Sequence, residues 1–225
     1  MIFNYLNTDL CMIKQYNISF IFKLSNDKDL LLFNCTDGCQ SNIFNQYFKI
    51  NNLSKIIITD LHVNNISGLL GLLSSLNLIG RTKALHIYGH IDLKYYLDLG
   101  KKYSQTNFSY SIYIHTLKTG IVINEYGLRL YTFINKDCYE FILIQSEQRG
   151  TFFLNQAENN YLIPGPLYGR LKKGLNFLLP DGFNLNGNNL TSKSISGKKL
   201  CFLMSFYYNR KILENSIKSR IVLLA

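Results

Sequence analysis

Asp60, His62, Asn64 and Asn65 fall within the six residues Asp-Leu-His-Val-Asn-Asn. A carboxylate and an imidazole two positions apart are ligand types that hold divalent cations. Asn64 and Asn65 add neutral amide oxygens, poor ligands for zinc. Together with Asp37, the pair Asp60 and His62 would suit at most one weakly held hard cation. Cys35 and Cys39 have the spacing of half a zinc site, but no second pair exists, so buried free thiols are the reading preferred. His86 and His90 are four apart, a spacing that chelates only on a continuous helix. Gly89 interrupts it here, and both histidines read as structural. A different chemistry gathers at Arg170, Lys172 and Lys173 beside Tyr168, a cluster suited to phosphate contacts or, more plainly, a solvated basic turn.

These groups need elements to hold them. Residues 55–59, with Ile56, Ile57, Ile58 and Thr59 in a row, predict a short buried strand. Residues 60–65 form a polar loop. Ile66, Leu69, Leu70, Leu73 and Leu76 then recur at helical spacing, predicting a helix over residues 66–76. Upstream, residues 1–6 predict a strand, 18–24 and 29–34 a hairpin, and 41–48 a helix that Asp37 would cap. Downstream, a strand over 84–88 leads to a helix over 92–102. Alternation and β-branched or aromatic content predict strands over 109–115, 121–124, 128–134 and 139–145. His115 falls inside one of these and reads as a core histidine. A short strand over 183–185, a helix over 209–217 and a strand over 219–225 complete the chain.

A length of 225 residues suits one domain with a sizeable core. Hydrophobic content of 47% and charged content of 17% exclude a disordered chain. No apolar run reaches the ~18 residues of a membrane span, so no membrane partner is expected. The N-terminus has neither the pattern of a signal peptide nor that of a transit peptide. The net charge of +10, with a pI near 9.3, favours an anionic partner, nucleic acid first. Five scattered cysteines, an odd number, argue for a reducing compartment. Abundant Asn, Ile, Lys, Tyr and Phe, with no Trp, suggest an AT-rich genome, that of a plastid or a reduced bacterium. The plastid stroma is the location expected, with the cytoplasm of a reduced bacterium as the alternative.

Residues 55–73, KIIITDLHVNNISGLLGLL, resemble ribonuclease Z, the tRNA 3′-end endonuclease of the metallo-β-lactamase superfamily. Members carry T-H-L-H-G-D-H and then G-L-P-G-L-L at this point. The resemblance extends to Phe33-Asn34-Cys35-Thr36-Asp37-Gly38-Cys39-Gln40, to Gly80-Arg81-Thr82, and to Ile163-Pro164-Gly165-Pro166-Leu167-Tyr168-Gly169-Arg170-Leu171-Lys172-Lys173-Gly174. It implies an αββα metallo-β-lactamase-like sandwich, incomplete at its C-terminal end. It also implies a site for two zinc ions, at which only His62 keeps the family residue. Asp60, Asn64, Asn65, Asn135 and Ser205 stand where the family has other ligands.

The ligand set implied by the resemblance is degenerate. A bridging hydroxide between two zinc ions needs several His or carboxylate ligands on each. The expectation is therefore a chain with no cofactor that keeps a tRNA- or partner-binding role. The alternative is an active, zinc-dependent tRNA 3′-endonuclease that uses unusual ligands or a partner subunit. By the same resemblance, residues 150–174 correspond to an RNA-gripping arm, with Tyr168, Arg170, Lys172 and Lys173 as its contacts. The helix over 66–76 would contribute to a homodimer, or to a heterodimer with a complete ribonuclease Z. The apolar strand at the end of the chain, left uncovered, would invite pairing.

Overall fold

A computed structural model describes residues 2–5, 19–23, 28–125, 127–135, 138–147, 150–179, 182, 184–192, 196–203, 210, 214, 217 and 221–224. Two sheets face each other. The first has the strand order β1 (Ile2–Tyr5), β2 (Phe20–Lys23), β3 (Leu30–Phe33), β4 (Leu53–Ile57), β5 (Leu85–Gly89), β6 (Ile112–Thr116). Strands β1 to β3 pair antiparallel, as a hairpin pattern dictates, and β3 to β6 pair parallel. Parallel neighbours need crossovers. These carry α1 (Cys39–Asn45), α2 (Val63–Ile66), α3 (Leu69–Leu78) and α4 (Leu93–Ser104).

Covering on both faces explains the sequence of the central strands. In Leu30-Leu31-Leu32-Phe33 every residue is buried, because alternate side chains meet either helices or the opposing sheet. Leu30, Leu32, Ile56, Ile58 and Ile87 pack with Ile43, Leu69, Leu72, Leu73, Leu76, Leu93 and Leu97 from the helices. On the other face Leu31, Phe33 and Ile57 meet the second sheet.

That second sheet runs β13 (Ile221–Leu224), β12 (Lys198–Leu203), β9 (Cys138–Gln145), β8 (Leu128–Asn135), β7 (Gly120–Glu125). Five phenyl rings, Phe20, Phe22, Phe33, Phe141 and Phe202, close the space between the sheets. Phe20 lies 4.7 Å from both Phe33 and Phe202, which locks the two sheets at one point. Such ring pairs add roughly 0.5–1.5 kcal/mol each beyond burial.

The expected helix over 66–76 is found as α3, while the later part of the expected loop over 60–65 forms a separate helical turn, α2. α2 ends at Ile66 and α3 begins at Leu69. Gly68 is the reason. Its N–H donates to the Cys35 carbonyl at 2.9 Å, and a Cβ at Gly68 would overlap the Thr36 carbonyl. Asp37 does not cap α1, as the sequence suggested it would. The helix opens on Gly38 at φ 70, without a side-chain cap, and Asp37 is exposed. Arg81 closes the next turn. Only 3% exposed, it donates to the carbonyls of Lys83 and Ala84 at 2.8 Å and of Asn51 at 3.2 Å.

Residues 150–192 build a small lobe. It contains α5 (Leu154–Asn159), α6 (Pro166–Leu171) and the hairpin β10 (Asn176–Leu178) with β11 (Asn184–Asn186). Ala157, Leu162, Leu171, Leu185 and Leu190 are its core. Phe152 bridges Thr191, and the Thr151 carbonyl accepts from the Ser192 N–H at 2.9 Å, so the lobe closes where it began. The expected helix over 209–217 lies mostly outside the described residues. Its Arg210 and Glu214 are helical and pair at 2.9 Å. No described helix is long and apolar enough to cross a membrane.

Candidate metal centre and basic lobe

The C-terminal edge of parallel strands is where open α/β sheets place ligands. Asn34 follows β3 at that edge in the left-handed region, φ 53. Its Oδ1 accepts the Thr59 N–H and the Thr59 hydroxyl, both at 2.9 Å, which ends β4 and turns the chain outward. Thr59 has a single hydroxyl proton, and Asn34 takes it. The 3.4 Å approach of Thr59 Oγ1 to Asp60 Oδ2 is therefore a contact only.

Asp60 stands next in this edge. Its Oδ1 accepts the His62 N–H at 2.8 Å. The Asn65 Nδ2 group donates to Asp60 Oδ1 at 2.8 Å and to Oδ2 at 2.9 Å. Asn65 is 2% exposed, and its Oδ1 has no hydrogen-bond partner among the described residues. Its backbone is fastened at both ends. The N–H donates to the His62 carbonyl at 2.9 Å, and the carbonyl accepts from the Cys35 N–H at 2.8 Å. His62 is exposed and caps α2, with Nδ1 accepting the Asn64 N–H at 3.4 Å. An acceptor at Nδ1 puts the proton of the neutral ring on Nε2.

Zinc needs lone pairs that converge on one point. Here the open side of the Asp60 carboxylate meets an NH2 group, one of whose hydrogens stands where an ion would carry its charge. The Nδ1 lone pair of His62 is turned into its own helix. The described residues of this loop do not fit a zinc ion. Among the described residues no three His, Cys, Asp or Glu side chains converge.

The loop thus brings together Asp60, His62, Asn64 and Asn65, all within one local segment. Asn135 ends β8 on the second sheet, opposite Cys138, and its side chain lies outside the described residues. Ser205 lies outside them altogether. Cys35 and Cys39 are buried, with Sγ atoms 3.2 Å apart. Burial pushes the Cys35 thiol up, which keeps it protonated and unsuited to ligation.

His86 and His90 do not meet. His90 Nδ1 accepts the Asp92 N–H at 3.3 Å, whereas His86 pairs across strands with His115, Nδ1 to Nε2, at 3.0 Å. His115 lies on β6, the last described strand of the first sheet, and is half-buried, not in the core, because among the described residues no strand covers β6 on its far side. Sequence spacing could not find this pair, since its members are 29 residues apart.

On the lobe, Arg170, Lys172 and Lys173 are exposed at the end of α6. Pro166 opens that helix at its first turn, where a missing N–H costs nothing. Tyr168 is half-buried. Its hydroxyl donates to the Leu162 carbonyl at 2.8 Å, and its ring lies 4.9 Å from Phe152. Tyr168 thus anchors the helix whose far end presents the three cations.

No family model matches the chain. The ycf56 protein of Pyropia yezoensis is 38% identical over 199 residues, covering 87% of this chain and 76% of that protein. Ribonuclease Z of Acaryochloris marina is 31% identical over 211 residues, covering 92% of this chain and 67% of the enzyme. Among solved structures, human tRNase Z, short form, matches 98% of this chain and 76% of its own, with a TM-score of 0.60 at 13% identity. Zn(2+)-bound PqqB from Methylobacterium extorquens matches 92% of this chain and 56% of its own, with a TM-score of 0.54 at 10% identity. At such identities the structural likeness is one of fold, and that fold is the metallo-β-lactamase sandwich.

Proposed function

The chain belongs to the ribonuclease Z family, and we propose that it is a member that binds transfer RNA without cleaving it. The observation that carries this reading is the set of exposed cations Arg170, Lys172 and Lys173, on a lobe that holds its own core. Three cations within four residues suit successive phosphates of one strand. The net charge of +10 draws polyanions to the whole molecule. Cleavage is absent from the reading because Asp60 is taken up by Asn65 and the loop offers zinc no converging set. A chain of this kind acts through a partner: a second copy, or a complete ribonuclease Z whose zinc site does the cutting while this lobe presents the RNA. Its place is a plastid stroma, a reading supported by residue usage and by the ycf56 relative.

Binding of a precursor tRNA, monitored by fluorescence anisotropy across a salt series, tests the reading. The wild type should bind with a steep salt dependence. Replacing Arg170, Lys172 and Lys173 with Ala should weaken binding and flatten the log–log slope by about 0.7 per lost phosphate contact. Cleavage of that precursor by the purified chain in the presence of zinc would overturn the reading in favour of an active endonuclease.

A further inference from the structure

We propose that the Asn65 amide stands in for a metal ion, holding the Asp60 loop in a ligand-bound shape without any cation. The inference rests on the proposed function, in which this site does not cleave. Its starting point is symmetry. Asn65 Nδ2 lies 2.8 Å from one Asp60 oxygen and 2.9 Å from the other, the placement of a cation held by both oxygens of one carboxylate. The two oxygens lie too close together, seen from one nitrogen, for its diverging hydrogens to take one each, so a single N–H is shared between them as a three-centre bond.

The arrangement is built into the fold. Asn65 is 2% exposed, and its position is set by backbone bonds to the His62 carbonyl and the Cys35 N–H. Turning the amide over would bring Oδ1 against two carboxylate oxygens, so acceptor would face acceptor. The orientation observed leaves Asn65 Oδ1 without a partner among the described residues. An orphaned buried acceptor is unfavourable, and its persistence here shows which contact dominates. Through Asn65 the amide also reaches the turn after β3. Cys35 donates to the Asn65 carbonyl and accepts from the Gly68 N–H. The NH2 group itself bonds only Asp60, but it stands on the residue whose backbone is joined to the Cys35 turn, and through Cys35 to the start of α3, so the loop is fastened to a second segment of chain as it would be by a metal ion.

Thermal unfolding of the full chain in EDTA and in excess Zn²⁺ or Mn²⁺ tests the proposal. The wild-type midpoint should be the same in all three. Asn65→Asp keeps the size of the side chain, removes both N–H donors and sets two carboxylates face to face. Its midpoint in EDTA should fall by roughly 5–10 °C, and Mn²⁺ should restore most of the loss by bridging the carboxylates. An Asn65→Asp protein as stable as the wild type in EDTA would overturn the proposal. If the variant does not fold, a calorimetric zinc titration of the wild type decides alone. No binding is expected, and stoichiometric binding with a raised midpoint would overturn the proposal. The two readings fail separately: a chain that ignores zinc but binds no RNA loses the functional reading and keeps this one, and a chain that zinc stabilises loses this one whatever it does with RNA.

Discussion

His86 and His115 make one hydrogen bond between two imidazoles, so one ring must donate and the other accept. The ring centroids are 5.2 Å apart and the bonded nitrogens 3.0 Å apart. Those two lengths fit rings lying end to end, a good geometry for the bond. Lys55 and Glu125 form an ion pair next to it, and Tyr113 and Tyr88 flank the histidines. The His86 pKa is held below its ordinary 6.5, first by burial, then by His115 and Lys55, against a smaller pull from Glu125. A base with a depressed pKa binds fewer protons folded than unfolded. Its contribution to stability is therefore complete above pH 6.5 and is lost as the pH falls from there through the lower folded value. Urea midpoints measured between about pH 5 and 8 should decline below that point, and His86→Gln should flatten the decline. The ring is half-buried, and water keeps the effect under about 1 kcal/mol. A midpoint that rises on acidification would contradict this account.

At the scale of elements, the break between α2 and α3 governs how the loop is held. Gly68 tolerates the approach of the Thr36 carbonyl because it has no Cβ. Its φ is ordinary, −81, so the requirement is one of space and not of backbone conformation. Gly68→Ala should cost roughly 1–3 kcal/mol, the range for overpacking a close contact. Measured by chemical denaturation, it should unfold at lower urea than Gly71→Ala, whose Cβ would meet only the Gln40 side chain at 3.8 Å. Equal midpoints for the two variants would remove Gly68 as the cause of the break. The lobe over 150–192 is the second element-scale feature. The match to a basic arm ends at residue 174, but Gly187 packs against the Leu171 and Leu175 carbonyls, so the later hairpin is part of the same unit.

For the whole molecule, the partner proposed above, if it is a second copy, needs a free surface. The apolar face of α3 is not available, since Leu69, Leu72, Leu73 and Leu76 are fully buried. α4 is different. Leu93 and Leu97 face the core, while Tyr95, Leu99 and Tyr103, four apart, are exposed by 66%, 53% and 78%, with Ile91, 60% exposed, just before the helix. Helices that pack their four-residue ridges against each other use such a row. Lys94 and Asp98 flank it and complement themselves when two copies of α4 run antiparallel. Sedimentation at micromolar concentration should give a dimer, and Tyr95→Glu should shift it toward monomer. A wild type that sediments as a monomer, alone and mixed with an active ribonuclease Z, would leave the lobe without a catalytic partner.

The sandwich itself was legible in the sequence, because buried strands and amphipathic helices write their periods locally and the matched turns fall between them. So were the positions at which the chain departs from the motif it resembles, since Asp60, Asn64 and Asn65 stand within a few residues of His62. The tertiary structure alone decided what those residues do instead. Nothing in Asp60-Leu61-His62-Val63-Asn64-Asn65 says that one amide will close on the carboxylate and not turn to solvent. That depends on Cys35, from the turn after another strand, fixing the Asn65 backbone. The break between α2 and α3 depends likewise on Thr36, and the His86–His115 bond on the register of β5 with β6. Contacts between distant segments are set by packing in three dimensions, to which the local periodicity of a sequence is blind.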